Sequence, residues 1–341
     1  MQPSFFDLDD RHRKLNERDP LIFLNKLIDW EDFRSTLIQV REKPRKSNAG
    51  RKPYDVVLLF KMLILQQLYN ISDDEVEFQV RDRYSFCRFL NLLPEDTVPD
   101  ANTVRMFRED LTRAGLHKTL FDRFDLFLDE QGLKARRGQI IDASFVEAPK
   151  QRNNREENQQ IKQGITPSSF EDNAHKKCQK DVDARWTKKN QETHYGYKNH
   201  VVVDNEHKLI RDFAVTSAEV HDSQVFFDLL TENSSKDVWA DSAYRSEEND
   251  VILGGLGYRN QVHRKGARNK PLTKRQQQAN SKKSSVRARV EHVFGSIENE
   301  QGGLFVRTIG LARATTKVCL MNLVYNMRRY VTLHRIAASA R

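Results

Sequence analysis

Two short apolar runs that each end in an aspartate narrow the fold more than any other feature of this chain. They are Gln139-Ile140-Ile141-Asp142-Ala143-Ser144 and Val238-Trp239-Ala240-Asp241-Ser242-Ala243-Tyr244. Continuous apolar runs this short suit strands buried on both faces of a sheet. The aspartate that closes each run then borders a core, where a bare carboxylate costs several kcal/mol unless it is paired or binds a cation. A third segment, Val286-Arg287-Ala288-Arg289-Val290-Glu291-His292-Val293-Phe294, has helical spacing. Val286, Val290, Val293 and Ile297 make its buried stripe, and Glu291 lies on the neighbouring strip beside Arg287. Brought together, Asp142, Asp241 and Glu291 are expected to form one pocket of oxygen ligands. Such a set suits Mg²⁺ or Mn²⁺ rather than a nitrogen- or sulfur-seeking metal.

The elements around these runs are legible from periodicity and punctuation. Residues 1–130 read as helical. Asp55 is placed to cap a helix that is apolar around most of its circumference, Ser72 or Asp73 the next, and Asn102 or Thr103 opens a third, with a fourth from Leu116 to Leu128. Such a bundle suits a DNA-reading or dimerisation domain, and the pattern does not choose between them. From Gly138 the pattern turns to strand. A polar stretch over about 150–194 reads as an extended insertion with little core of its own. Strands resume at Tyr195–Val203 and Lys208–Thr216 around the turn Asp204-Asn205-Glu206-His207. A short helix over Ser223–Leu230, strands at Asp237–Ala240 and Tyr258–His263, and helices over Lys283–Glu300 and Ala312–Ile336 follow. The resulting class is α/β: a mixed sheet flanked by helices over 131–341, preceded by an all-α domain over 1–130. Ligand-binding groups of such sheets gather at the strand ends.

The charge points to the partner. The chain carries a net charge of +9 with a sequence pI near 9.3. Between Arg259 and Lys317 there are 14 Lys and Arg against 3 Glu, a local net of +11. That excess surrounds Glu291, so an acidic polymer is the natural ligand of this segment. The three cysteines, Cys87, Cys178 and Cys319, are far apart and form no zinc spacing with His194, His200, His221 or His292. Free thiols, an amino terminus without the pattern of a secretory signal, and the lack of an apolar run long enough to span a bilayer lead to the expectation of a cytoplasmic protein.

Several motifs in order resemble the DDE transposases of bacterial insertion sequences, in the insertion-sequence-five family. Gly50-Arg51-Lys52-Pro53-Tyr54 through Arg81-Asp82-Arg83 resembles the amino-terminal helical domain of that family. Asp142-Ala143-Ser144-Phe145-Val146-Glu147-Ala148-Pro149, Asp183-Ala184-Arg185-Trp186-Thr187-Lys188-Lys189, Tyr195-Gly196-Tyr197-Lys198 and Ala240-Asp241-Ser242-Ala243-Tyr244 resemble its catalytic core. The resemblance implies a ribonuclease-H-like core with Asp142, Asp241 and Glu291 as the catalytic, metal-binding triad. Related enzymes carry Tyr, Arg, Glu and Lys at fixed spacing on the last helix. Here Arg287 and Glu291 match, while Ser284 and Glu298 stand at the outer positions.

The resemblance further implies cleavage of insertion-sequence ends and joining of the freed 3′-hydroxyl to target DNA, with two Mg²⁺ or Mn²⁺ ions per site. The partners it implies are double-stranded DNA, as terminal inverted repeats and target, and further copies of the chain in a homodimer or larger synaptic complex. It also implies a bacterial setting, at the nucleoid when DNA is bound. Lys198, Lys282, Lys283 and Arg287 are the expected phosphate contacts, and Trp186 is either a core anchor or a platform for an unpaired base. Rival readings are a structure-selective nuclease on the same fold and a catalytically inactive DNA-binding repressor.

Overall fold

The computed structural model describes residues 19–41, 52–93, 95–189, 191–266 and 271–339. The amino-terminal heptapeptide, Gly50-Arg51 and Pro94 lie outside them. The chain divides into two compact units. One runs to Arg123 and takes in the segment from Asn326; the other runs from Phe124 to Tyr325. The sequence boundary near 130 leaves the last segment with the second unit, whereas the observed division falls within two continuous helices, α7 (His117–Glu130) and α13 (Leu311–Ser339).

The first unit holds helices α1 (Pro20–Leu27), α2 (Arg34–Gln39), α3 (Val56–Tyr69), α4 (Asp73–Asp82), α5 (Tyr84–Leu90) and α6 (Ala101–Ala114); α2, α4, α5 and α6 pack on α3, and α1 packs on α5. Asp55 caps α3, accepting from the Val57 and Leu58 amides at 2.9 and 3.1 Å. Residues on nearly every side of α3 are buried, as its all-round apolar pattern demands. Trp30, Phe33, Phe60 and Phe89 form an aromatic cluster against it. Ser72 caps α4. For α6 the cap is Asp100 rather than Asn102 or Thr103. Asp100 already lies in extended backbone (φ −73°, ψ 163°), so its carboxylate reaches the Thr103 amide at 2.6 Å.

The second unit is built on a mixed six-stranded sheet. Its strands are β1 (Gln139–Glu147), β2 (Arg185–Lys189), β3 (Glu192–Asp204), β4 (Ile210–Ser217), β5 (Asp237–Trp239) and β6 (Arg259–Asn260). The order is β2-β3-β1-β5-β6, with β4 also on β3. The long β3 pairs β2 over its first residues and β4 over the rest. Strand β1 is antiparallel to β3 and parallel to β5, which is parallel to β6. This is the mixed, helix-flanked sheet expected of a ribonuclease-H-like core. Helix α12 (Lys274–Glu300) packs on β1 and β5. It begins nine residues earlier than its apolar stripe suggests, because Thr273 and Gln276 form a reciprocal capping box ahead of the stripe.

Two expectations are corrected. The segment Ser223–Leu230 forms only a 3₁₀ turn over Asp222–Val225. The polar insertion is folded: it contains α8 (Arg155–Lys162), α9 (Ser168–Glu171) and α10 (Ala174–Gln179) before it delivers β2. Phe170 is fully buried there, with the ammoniums of Lys176 and Lys180 at 4.8 and 5.7 Å from its ring centre. Asn154 and Glu157 cap α8 reciprocally, and Glu157 also binds the Lys176 ammonium at 2.6 Å. One buried ring and a cap network organise a segment whose mean composition suggests none.

Candidate active site

The chain enters β1 through Gly138, whose φ of +85° and tight surroundings exclude a side chain. A Cβ there would collide with the Trp239 ring and the Asp237 carbonyl. That close approach brings β1 and β5 together in parallel, with Gln139 beside Val238 and Ile140 beside Trp239. The same offset, carried two residues past the ladder, sets Asp142 beside Asp241, and neighbouring strands are about 4.8 Å apart. The two carboxyls sense each other: the charge of Asp241 adds to the upward push on Asp142. Asp241 also caps the 3₁₀ turn Ser242–Tyr244 by accepting from the Ala243 amide.

Helix α12 lays Arg287 over this pair. Its Nη2 donates to Asp142 Oδ2 at 2.8 Å, while the Ala143 amide donates to Oδ1 at 2.9 Å. Burial still wins: desolvation holds the Asp142 carboxyl above the ordinary carboxylate range, against the pull of Arg287. Glu291 lies one helical turn beyond Arg287 and is exposed. Among the described residues, no three His, Cys, Asp or Glu side chains form a ready-made metal cluster. The expected pocket of three acids is therefore present as two carboxylates and a guanidinium. A third carboxylate drawn in without a cation would add like-charge repulsion, whereas Arg287 compensates the buried Asp142. The Asp142–Asp241 pair, a close set of hard oxygen donors with one member unfavourably buried, fits a divalent cation.

Beside the acids lies a group that the sequence does not announce. Tyr244 is 1% exposed and packs its ring against Phe226 with centroids 5.3 Å apart. Its hydroxyl is buried and has no hydrogen-bond partner. Burial, with the charges of Asp222, Asp142 and Asp241 adding to it, holds this phenol well above its usual pKa. Asp222 pairs with Lys198, whose buried Nζ donates to it at 2.8 Å and to the Val220 carbonyl at 2.7 Å. Lys198 is thus engaged inside the protein; contact with a phosphate would require it to leave both partners. His200, on the same strand, bonds Thr216 Oγ1 at 2.9 Å, and burial lowers its pKa to about 4.

The other candidate DNA contacts are more open. Lys282 is exposed, and Lys283 is half-buried with its ammonium on the Val262 carbonyl at 3.1 Å. Trp186 is 43% exposed on β2, tilted against Tyr195, with the Lys150 ammonium 6.0 Å above its ring. It is no core anchor. Tyr195 and Tyr197 are buried, as their shared strand face suggests.

Comparison with known proteins gives two family matches. Residues 133–327 match the family described as "Transposase DDE domain", and residues 9–110 match that described as "Transposase domain (DUF772)". Among solved structures, the chain is similar to the piggyBac transposase in its synaptic complex with hairpin DNA. The TM-score is 0.50 at 12% identity, covering 96% of this chain and 78% of that one. At that identity the likeness concerns the fold alone.

Proposed function

Because the chain belongs to the transposases with a DDE domain, we propose that its catalytic centre is built on Asp142 and Asp241, with Glu291 joining them from α12. As a member of that family it is a DNA transposase that works with divalent metal ions. The insertion-sequence-five assignment rests on the motif resemblance and is part of the proposal. So is the division of labour in which the helical amino-terminal unit binds DNA or a second copy, and the sheet unit carries the chemistry.

The observation that carries the reading is the apposition of two carboxylates, Asp142 within β1 and Asp241 just past β5, the first desolvated at a cost that a cation removes. Asp142, Asp241 and Glu291 would hold the divalent ions through their carboxylate oxygens. A bound pair of Mg²⁺ or Mn²⁺ ions supplies activation of the attacking oxygen and neutralisation of charge at the phosphorus. In the first step a water oxygen bonds to phosphorus as the bond to the 3′ oxygen breaks, leaving a 3′-hydroxyl on the element. In the second, that hydroxyl attacks a target phosphate and displaces the target's own 3′ oxygen. No covalent enzyme intermediate is needed.

Arg287, Lys282 and Lys283 supply cationic donors along α12 for backbone phosphates, and Trp186 with Lys150 offers a stacking face for an unpaired base. Two element ends and one target call for more than one such centre, so a homodimer or larger assembly is proposed.

The test is cleavage of DNA flanking the coding region, with Mg²⁺ and then with EDTA. Asp142→Ala is expected to lower Mg²⁺-dependent cleavage by more than about 100-fold, beyond the usual cost of losing a residue that only supports a ligand. Undiminished cleavage by this variant would overturn the site. A supplied pre-cut end should yield strand-transfer products; cutting without joining would favour a nuclease.

A further inference from the structure

Tyr244 is a buried polar group that the proposed chemistry leaves unused. Its ring is fixed in the core cluster of Ile141, Val202, Phe226, Leu229, Val238, Ala240, Leu253 and Val262. Packing alone therefore demands the ring, and a phenylalanine would fill the same space. The hydroxyl is different. A buried hydroxyl without a partner is costly, typically more so than the hydrogen bond it could make is worth. The Tyr244 ring packs with Ile141 and Ala240, the chain neighbours of Asp142 and Asp241, and the charges of Asp222, Asp142 and Asp241 act on the hydroxyl. Asp142 already accepts from Arg287 and Ala143, and Asp241 from Ala243. A carboxylate has room for further donors, so either acid, drawn toward Tyr244, could accept from its hydroxyl.

We propose that Tyr244 is a positioning residue of the cation site, its hydroxyl donating a hydrogen bond to the Asp142–Asp241 pair when the pair is charged around a divalent cation. The proposal rests on the assignment of that pair as the cation-binding centre. Cation binding would then bring an acceptor to this donor. Residues that hold ligands in place from behind are commonly worth 10- to 100-fold in metal affinity.

The experiment compares the full chain with Tyr244→Phe and Asp142→Ala. It measures Mn²⁺ and Mg²⁺ affinity by titration calorimetry and thermal midpoint without any divalent cation. Tyr244→Phe is expected to keep or raise the cation-free midpoint, because it deletes only the unpartnered oxygen, and to weaken cation binding by about 10- to 100-fold. A merely structural hydroxyl would give the opposite pattern, a lowered midpoint with cation affinity intact, and that result overturns the proposal. So does unchanged affinity in Tyr244→Phe while Asp142→Ala abolishes binding. If Asp142→Ala binds the cation like the parent chain, the underlying site assignment fails instead.

Discussion

Arg287 and Asp142 are 145 positions apart, yet their contact opposes the burial that raises the Asp142 carboxyl. The Asp142 carboxyl has a folded pKa above its unfolded value of about 3.9. The sign follows from linkage: the neutral acid is favoured by folding, so its contribution to stability is full below the unfolded pKa and is lost as pH rises through the raised folded value. A divalent cation competes with the proton for the same oxygens and reverses the trend. Stabilisation by Mg²⁺ is therefore expected to be absent in acid and to grow as pH rises through the raised Asp142 value. Thermal midpoints with and without Mg²⁺ across the acid-to-neutral range check this. A Mg²⁺ increment indifferent to pH would argue against Asp142 as a ligand. The guanidinium meanwhile keeps the pair compensated until the ion arrives, since an unpaired buried charge is the costliest arrangement.

Among the elements, the insertion between β1 and β3 depends most on a single side chain. Phe170 has no exposed surface, and its neighbours Ile161 and Glu157 are buried with it. Truncating a buried Phe to Ala costs about 3–5 kcal/mol, more than three short helices recover by themselves. Phe170→Ala is expected to open 155–179 locally while β1 and β3 hold. Hydrogen exchange resolved along the chain measures it: fast exchange should appear in α8 to α10, with the β1–β3 ladder still protected. Uniform protection would mean that the cap at Asn154 and Glu157 holds the insertion without the ring. The insertion matters for function because it delivers β2, and with it Trp186, to the sheet edge.

For the chain as a whole, charge sets how it meets DNA. The net charge of +9 is concentrated in the stretch that contains α12, so binding should weaken steeply with salt. Each lost phosphate contact lowers the slope of log affinity against log salt by about 0.9. Lys282→Ala is expected to reduce the slope by about that amount, because Lys282 is exposed. Lys283→Ala should do less, since its ammonium is already held by Val262. Duplex binding measured over a range of NaCl concentrations checks both; equal effects would mean that Lys283 leaves its carbonyl on binding. The two family matches, over residues 9–110 and 133–327, fall largely within different units of the fold, while α13 begins in one unit and ends in the other.

Much of this was readable along the chain because it is local. Asp55 before an apolar helix, Ser72 before the next, and the Asp204–His207 turn act over a few residues, where capping and turn chemistry are decided. The two aspartates were readable for the same reason, since each follows an apolar run that forms a strand; but β1 runs on past Asp142 to Glu147, so the carboxylate there marks no strand end. Glu291 was readable as a residue but not as a neighbour, since where α12 stops along β1 and β5 decides that Arg287, one turn earlier on nearly the same face, reaches Asp142. The Lys198–Asp222 pair, the unpartnered hydroxyl of Tyr244 and the burial of Phe170 left no local mark. Each arises from surfaces that meet only when the sheet closes, and what a buried polar group must pair with depends on which groups arrive beside it.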